Sequence, residues 1–156
     1  MSALVHTLHV LLAGVWLGSV AFTTFVVSPA LEAMKWSEPE RVAARSVIGR
    51  QFARVGIVNL VLLLLFAVLD GFSRGFGPLL YVEYALLVLV FGFVAVHGAY
   101  FGRRLVDLAE AEKRAGSDGE ARALAERRRA LQRLSLRVSH LNLLISAAVV
   151  ALAVNA

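Results

Sequence analysis

The hydrophobic and polar residues of this chain separate into long blocks rather than alternating. Apolar residues dominate four segments, at about 4–29, 53–70, 79–101 and 138–154. Each is close to the roughly 20 residues with which a helix crosses a bilayer. Because backbone polar groups must be satisfied inside lipid, each segment is expected to be a helix, and the continuous runs disfavour a β-barrel. The pattern predicts an all-α fold, one integral membrane four-helix bundle filling residues 1–156.

The polar connections carry helix signals of their own. Ser37-Glu38-Pro39-Glu40 and Ser117-Asp118-Gly119-Glu120 both place a glutamate three residues after a serine, which is the capping-box pattern. Charged residues at about 102–137 mix with a stripe of leucines. We therefore expect a cytoplasmic helical hairpin over 102–137 that extends the third and fourth helices. It is either a solvated stalk or, alternatively, a docking surface for a partner.

Basic residues concentrate in two of the three connections. Arginines are dense between the third and fourth segments, whereas Arg74 alone lies between the second and third. The positive-inside rule then predicts a multi-pass protein of the cell inner (plasma) membrane with both termini outside. The formal net charge of +5 is explained by topology and contact with anionic lipid, so no nucleic-acid partner is expected. The N-terminal apolar run continues past Pro29 and is expected to be a retained span.

Ionisable side chains at membrane depth are the candidates for function. His6 and His9 share one helical face near the outer end of the first span, where Asp70 ends the second span and Glu83 enters the third. Imidazole with carboxylate suits zinc, iron, manganese or copper(II) rather than copper(I). The alternative is that His6 sits among lipid head groups and Glu83 reaches water at the interface.

A second pair of histidines lies near the opposite membrane surface. His97 and His140 are each a few residues from the inner ends of the third and fourth spans. Two such imidazoles can be the axial ligands of haem b, with Arg103, Arg104 or Arg137 near enough to meet its propionates. Alternatively, each histidine hydrogen-bonds to serine, backbone or lipid phosphate.

The first span has two distinct faces. One carries His6, His9, Ala13, Trp16, Val20 and Thr24. The other carries Gly14 and Gly18, whose spacing permits close helix contact, and we expect that contact to be inside the bundle. Asn59 in the second span, like Asn142 and Ser146 in the fourth, is expected to hydrogen-bond across helices or, alternatively, to line a proton path with Glu83. No span shows an obvious interruption.

The motif of the first span resembles a known family. Leu8-His9, Trp16-Leu17-Gly18 and Thr24-Phe25-Val26-Val27 are similar to the transmembrane-protein-205-like small four-span membrane domain of unknown function, and Leu141-Asn142-Leu143-Leu144 looks like its closing span. A looser similarity runs to the copper-resistance D membrane domain and to the four-span, haem-binding protoporphyrinogen oxidase of bacteria. These resemblances imply a metal-, haem- or stress-related membrane role centred on His9 and Trp16.

Three classes of function remain at this stage. The first is a membrane protein that binds haem b or a divalent metal ion through its histidines, in membrane redox chemistry or metal tolerance. The second is a non-catalytic accessory or structural subunit of a larger membrane complex, or a homo-oligomer; the third is a small proton-coupled transporter. The chain has no cysteine, no phosphate-binding glycine loop and no HExxH, so no enzyme class is assigned.

Overall fold

The computed structural model describes residues 2–155, and they are helical almost throughout. The elements are α1 (Ser2–Phe22), a π-helical segment (Thr23–Val27), α2 (Ser28–Ala33), α3 (Glu38–Arg74), α4 (Pro78–Val96), a second π-helical segment (His97–Gly102), α5 (Arg103–Lys113) and α6 (Asp118–Asn155). No strand occurs within these residues. The predicted all-α class is confirmed.

The helices join into four long rods, Ala3–Ala33, Glu40–Arg74, Pro78–Lys113 and Asp118–Asn155, each long and apolar enough to cross a membrane. Their outer faces expose large aliphatic and aromatic side chains, such as Leu11, Val55, Val88 and Leu144. So much exposed apolar surface is costly in water and suits lipid. The chain is a multi-pass membrane protein built as a four-helix bundle.

The two ends of this bundle differ in chemistry. The terminal end holds Ser2, the short turn between Arg74 and Pro78, and Asn155. The arginine-rich end holds the connection between α2 and α3 and the hairpin of α5 with the first part of α6. Helix α1 packs against α3 and α6, and α6 packs against α4 and α5, whereas α3 and α4 contact each other little.

The core lies where the four rods meet. Its buried members come from α1 (Ala13, Trp16, Val20), α3 (Leu60, Leu63, Ala67), α4 (Leu87, Val90) and α6 (Val149, Ala153). The residues of each set recur every three or four positions, so one stripe of each helix faces inward. These stripes fix the rotation of each helix and thereby decide which polar side chains enter the interior.

The helix caps expected from the sequence are present. The backbone N–H of Ser37 donates to Glu40 Oε2 over 2.7 Å, which completes the capping box of α3. At α6 the backbone N–H of Glu120 donates to Ser117 Oγ over 3.3 Å, and the Glu120 carboxylate accepts from Gly116 instead of Ser117. Both helices begin well before their apolar segments, as predicted.

A buried arginine ties the hairpin to the bundle. Arg128 of α6 donates from Nε to Glu112 Oε2 of α5 over 2.9 Å and from Nη1 to Glu38 Oε1 of α3 over 2.5 Å. Arg41 also donates to Glu38. Burial opposes the ionisation of Glu38, but the Arg41 hydrogen bond and the Arg128 charge outweigh it and hold the pKa of Glu38 below its usual value.

The spans are not regular throughout, contrary to expectation. The first and third rods each contain a π-helical segment, Thr23–Val27 and His97–Gly102. A π-helical turn inserts an extra residue and shifts the face presented by the following turns, and such segments are frequent at functional sites. A hydropathy profile does not reveal this insertion, because both segments remain apolar and helical.

The expected internal contact of Gly14 and Gly18 is also wrong. Both glycines are exposed, and a Cβ built at either one would meet no described atom within 4 Å. Helix α1 is instead rotated so that the face with His9 and Trp16 points inward. Burying two large side chains that have hydrogen-bond partners outweighs the close approach that the glycines permit.

Candidate metal centre

Helix α1 supplies one wall of the candidate site. His9 is wholly buried, at 0% exposure, and precedes the buried Ala13 and Trp16 on the same face. His6 lies one turn earlier and keeps 26% of its side chain exposed. The histidine face predicted from the sequence therefore faces the interior at the terminal end.

Glu83 meets His9 from helix α4. The Nε2–H of His9 donates to Glu83 Oε1 over 2.7 Å, and the Glu83 side chain is 0% exposed. Glu83 falls between the buried Leu80 and Leu87, so it lies on the inward stripe of its helix. The alternative that places Glu83 at the water interface is wrong, because this stripe directs it into the bundle.

Asp70 closes the cluster from the last turns of α3. Its Oδ2 lies 2.9 Å from His6 Nδ1 and 3.4 Å from His9 Nδ1, and only 2% of the residue is exposed. The two histidines and this carboxylate place one ligand atom each within 4.8 Å of one another. Three helices thus bring together the four residues that the sequence selected as metal ligands, with Glu83 behind His9 rather than in the triad.

The two separations from the Asp70 oxygen to the histidine nitrogens suit a small divalent ion. Bonds of 2.0–2.1 Å in a tetrahedral site separate neighbouring ligand atoms by about 3.3 Å. The 2.9 Å and 3.4 Å separations from Asp70 Oδ2 bracket that value. Two imidazoles and one carboxylate are also the ligand types that zinc and non-haem iron accept. The residues fit a metal, and a fourth coordination position remains for water or a substrate.

The hydrogen bonds around His6 leave two acceptor atoms facing each other, which an additional positive charge would stabilise. Arg74 Nη1 lies 2.6 Å from His6 Nδ1, and a guanidinium only donates, so this contact uses the lone pair of Nδ1. The same nitrogen faces Asp70 Oδ2, which is also an acceptor when ionised. A proton or a metal ion on Nδ1 would remove the conflict with Asp70, and the Arg74 guanidinium would then have to give up its contact with that nitrogen. Arg74 was not among the candidates from the sequence, since its charge was interpreted only as a topology signal.

Two buried oxygens in the cluster have no protein partner. Asp70 Oδ1 and Glu83 Oε2 are both inaccessible and accept no hydrogen bond from any described residue. Unpaired buried carboxylate oxygens are costly, and they are usually explained by an ion, a proton or a water molecule. The cluster therefore has spare acceptor capacity in addition to its three ligand atoms.

Trp16 and Asn59 support the site from the interior. The indole N–H of Trp16 donates to Ser146 Oγ over 2.9 Å, and Asn59 Nδ2 donates to the Leu12 carbonyl over 3.2 Å. These bonds join α1 to α6 and to α3, which confirms the expected cross-helix role of Asn59 and Ser146. Helix α1 is held on two sides just below His9.

The second pair of histidines does not form a comparable site. His97 is partly buried, with Nε2 3.3 Å from Ser135 Oγ, whereas His140 is exposed and its Nδ1–H donates to the Leu136 carbonyl over 2.8 Å. His97 lines a cavity together with Arg103, but neither His140 nor Arg104 nor Arg137 contributes to it. The contacts match the hydrogen-bonding alternative and give the haem interpretation no geometric support.

Comparison with known proteins identifies a family but no mechanism. Residues 11–114, about two thirds of the chain, match the family described as domain of unknown function DUF4149. The matched range includes Trp16, Asp70 and Glu83 but begins after His9. No curated protein and no solved structure matches the chain. The likeness to the transmembrane-protein-205-like and copper-resistance D domains is not confirmed. The chain belongs to the DUF4149 family, whose function is unknown.

Proposed function

We propose that this protein binds a divalent metal ion at the terminal end of its bundle, through His6 Nδ1, His9 Nδ1 and Asp70 Oδ2. The observation that carries the proposal is the convergence of these three atoms within 4.8 Å from two helices. A metal ion at this position would accept the lone pairs of His6 Nδ1 and Asp70 Oδ2, which otherwise face each other as two acceptors.

Glu83 has a distinct part in this proposal. A histidine that ligates a metal usually donates its other N–H to a carboxylate, which orients the ring and raises its basicity. The 2.7 Å bond from His9 Nε2 to Glu83 Oε1 has this arrangement. Glu83 is then a positioning residue that keeps Nδ1 deprotonated and directed at the metal.

The role that follows is metal handling within the membrane, in redox chemistry or metal tolerance. Zinc, ferrous iron, manganese and copper(II) all accept this ligand set, and the open fourth position allows exchange with water or a substrate. Arg74, with 42% of its side chain exposed, lies at the outer edge of the site. Its guanidinium competes with the metal for His6 Nδ1 and has to move when the ion binds.

The competing interpretation is a metal-free network that only fastens helices. A protonated His9 between Asp70 and Glu83, with Arg74 beside them, is electrically neutral and would hold α1, α3 and α4 together. Such a network also offers groups that exchange protons, as a small proton-coupled transporter requires. Neither the fastening network nor the proton-exchanging network uses a metal. A measurement of metal binding therefore distinguishes both of them from a metal centre.

The test is a titration of metal-free protein in a mild detergent with Zn²⁺, followed by competition with a chromophoric chelator. We expect one ion per chain, and a loss of affinity of at least tenfold in His6→Gln and in Asp70→Asn. His140→Gln is the matched control, because that histidine is exposed and lies outside the cluster. Absence of stoichiometric binding, or equal affinity in all four proteins, would falsify the proposal.

A further inference from the structure

A large cavity lies at the arginine-rich end and plays no part in the metal centre. Its volume is about 790 Å³, within the roughly 300–1,000 Å³ of ligand pockets in proteins. Trp16, Phe52, Phe93 and Phe101 contribute to walls that are mostly apolar. Residues of α3 and of the segment from the end of α4 into α5 line it, together with residues of the first rod and of α6.

Both irregular segments of the chain border this cavity. Thr23–Val27 contributes Thr23, Thr24 and Val27, and His97–Gly102 contributes His97, Gly98 and Phe101 among others. Each π-helical segment interrupts the regular α-helical hydrogen bonding, and such segments are frequent at functional sites. Two such segments at one cavity indicate that its shape is specified rather than left over from imperfect packing.

Two of the helices that line the cavity, α3 and α4, pack weakly against each other. Helices α3 and α4 are joined by a short turn at the terminal end but contact each other little elsewhere. Gly98 is exposed, and a Cβ built on it would meet no described atom within 4 Å. An extended hydrocarbon chain is the occupant that the surrounding membrane offers to such an apolar space.

The charges at the cavity are mainly positive. Four arginines line it, Arg45, Arg50, Arg103 and Arg128, against one acidic residue, Asp107. Arg45 and Arg128 are neutralised by glutamates. Among the described residues, Arg50 donates only to Ser46 Oγ, and Arg103 has no carboxylate within ion-pair distance. These two guanidiniums are available to an anion, and they make the cavity unsuitable for a metal cation.

Polar groups inside the cavity are also incompletely paired. Asn142 lines it, and its Oδ1 is buried without a hydrogen-bond partner among the described residues. A water molecule or a hydroxyl of a ligand would satisfy this acceptor. This unpaired oxygen is independent of the arginines and again indicates that the space holds something.

We propose that this cavity binds an acidic lipid, with its apolar chain between α3 and the α4–α5 segment and its anionic head group at Arg50 and Arg103. The proposal does not depend on the metal centre, which lies at the other end of the bundle. It differs from general attraction of a basic protein to anionic membranes, because it assigns the contact to two particular arginines.

The test uses quenching of Trp16 fluorescence by lipids with brominated chains. Trp16 lines the cavity, and Trp36→Phe removes the only other tryptophan. The Trp36→Phe protein in mild detergent is titrated with brominated phosphatidylglycerol and, separately, with brominated phosphatidylcholine. We expect saturable quenching by both, at a concentration roughly tenfold lower for the acidic lipid.

Matched variants test whether the preference for the acidic lipid depends on Arg50 and Arg103. Arg50→Gln with Arg103→Gln should abolish it, since each arginine near an acidic head group adds an affinity factor of roughly five. Arg104→Gln with Arg137→Gln removes the same charge from residues outside the cavity and should leave the preference intact. Gly98→Phe should fill the cavity and suppress quenching by both lipids.

Four results would overturn the proposal. Equal quenching by the two lipids in the Trp36→Phe protein removes the charge selection. A preference that survives in the Arg50 and Arg103 variant shows that these arginines do not hold the head group. A preference that disappears equally in the Arg104 and Arg137 variant assigns the effect to overall charge. Absence of saturable quenching shows that lipid chains do not enter the cavity.

Discussion

His9 is oriented through both nitrogens of its ring. Nε2 lies 2.7 Å from Glu83 Oε1 and Nδ1 lies 3.4 Å from Asp70 Oδ2, so the imidazole is fixed between α4 and α3 without contact with solvent. A buried polar side chain with partners on both sides has little rotational freedom. Such a fixed ring is what a metal centre needs from its ligands.

Replacing the carboxylate behind His9 tests the role assigned to Glu83. Glu83→Gln keeps the size of the side chain but removes the charge that raises the basicity of His9, so metal affinity should fall by about 10–100-fold. Chelator competition with Zn²⁺ measures the change. Glu110→Gln, on the exposed face of α5, is the control. An unchanged affinity in Glu83→Gln means that Glu83 does not position the ligand.

Arg74 gives a prediction of the opposite sign. Because its guanidinium contacts His6 Nδ1 and adds positive charge to the site, Arg74→Gln should bind Zn²⁺ more tightly, by roughly several-fold at this half-exposed position. The same chelator assay applies, with Arg104→Gln as control. Weaker binding in Arg74→Gln would instead show that the arginine supports the metal site.

The sequence predicted the members of the cluster better than their contacts. Counting residues from the helix ends placed His6, His9, Asp70 and Glu83 near one surface, since depth depends only on helical rise. The contact with Arg74 depends on the rotation of the last turn of α3, where Asp70 and Arg74 share a face. Their spacing of four residues indicated a contact between the two side chains, but the charge of Arg74 had been interpreted only as a determinant of topology.

For a whole helix, the hydropathy of the sequence predicts its rotation about its own axis less well than its position and ends. All faces of α1 are apolar enough for lipid, so the sequence did not decide between the glycine face and the histidine face. The π-helical segments add a further shift: Thr24, expected on the buried face, is only half-buried. Helix positions and caps were predictable because they depend on local sequence, whereas rotation depends on the neighbouring helices.

The Arg128 cluster makes the hairpin sensitive to acid. Arg128→Gln leaves Glu38 and Glu112 without their shared partner and should cost about 1–3 kcal/mol, less than a fully buried pair because both carboxylates are partly exposed. The lowered pKa of Glu38 means that its stabilising contribution is complete above the ordinary carboxylate pKa and is lost as pH falls through the lowered value.

Thermal unfolding in detergent should therefore show a clear deficit for Arg128→Gln at pH 7 that shrinks below about pH 4. Arg129→Gln, an exposed neighbour, serves as control and should unfold like the wild type at both pH values. A deficit of the same size at pH 7 and pH 3.5 would show that Arg128 stabilises the hairpin by packing rather than through its charges.

For the whole molecule, the four-span architecture followed from segment length and apolar content, which any bilayer imposes. The cavity at the arginine-rich end did not follow, because it forms among residues of all four rods, and no local pattern specifies how the helices pack against one another. The metal centre and the cavity lie at opposite ends of the same bundle. An ion at one end and a lipid at the other are therefore separable by mutation.

The arginine distribution predicts that the hairpin faces the cytoplasm and the metal centre faces outward. The chain has no cysteine, so single cysteines report sidedness directly. A membrane-impermeant maleimide should label Ser73→Cys in intact cells and Ser117→Cys only after permeabilisation. Labelling in the reverse order would place the metal centre at the cytoplasmic surface.

The central claim is that His6, His9 and Asp70 hold a metal ion. Its most direct test is elemental analysis, with an absorption spectrum, of the protein purified in mild detergent from cells grown with zinc, iron, manganese and copper. We expect about one divalent ion per chain and no Soret band, with the ion absent from His6→Gln and Asp70→Asn and present in His140→Gln. A wild-type protein that carries no metal, or His6→Gln and Asp70→Asn proteins that retain it, would show that these residues do not form a metal centre.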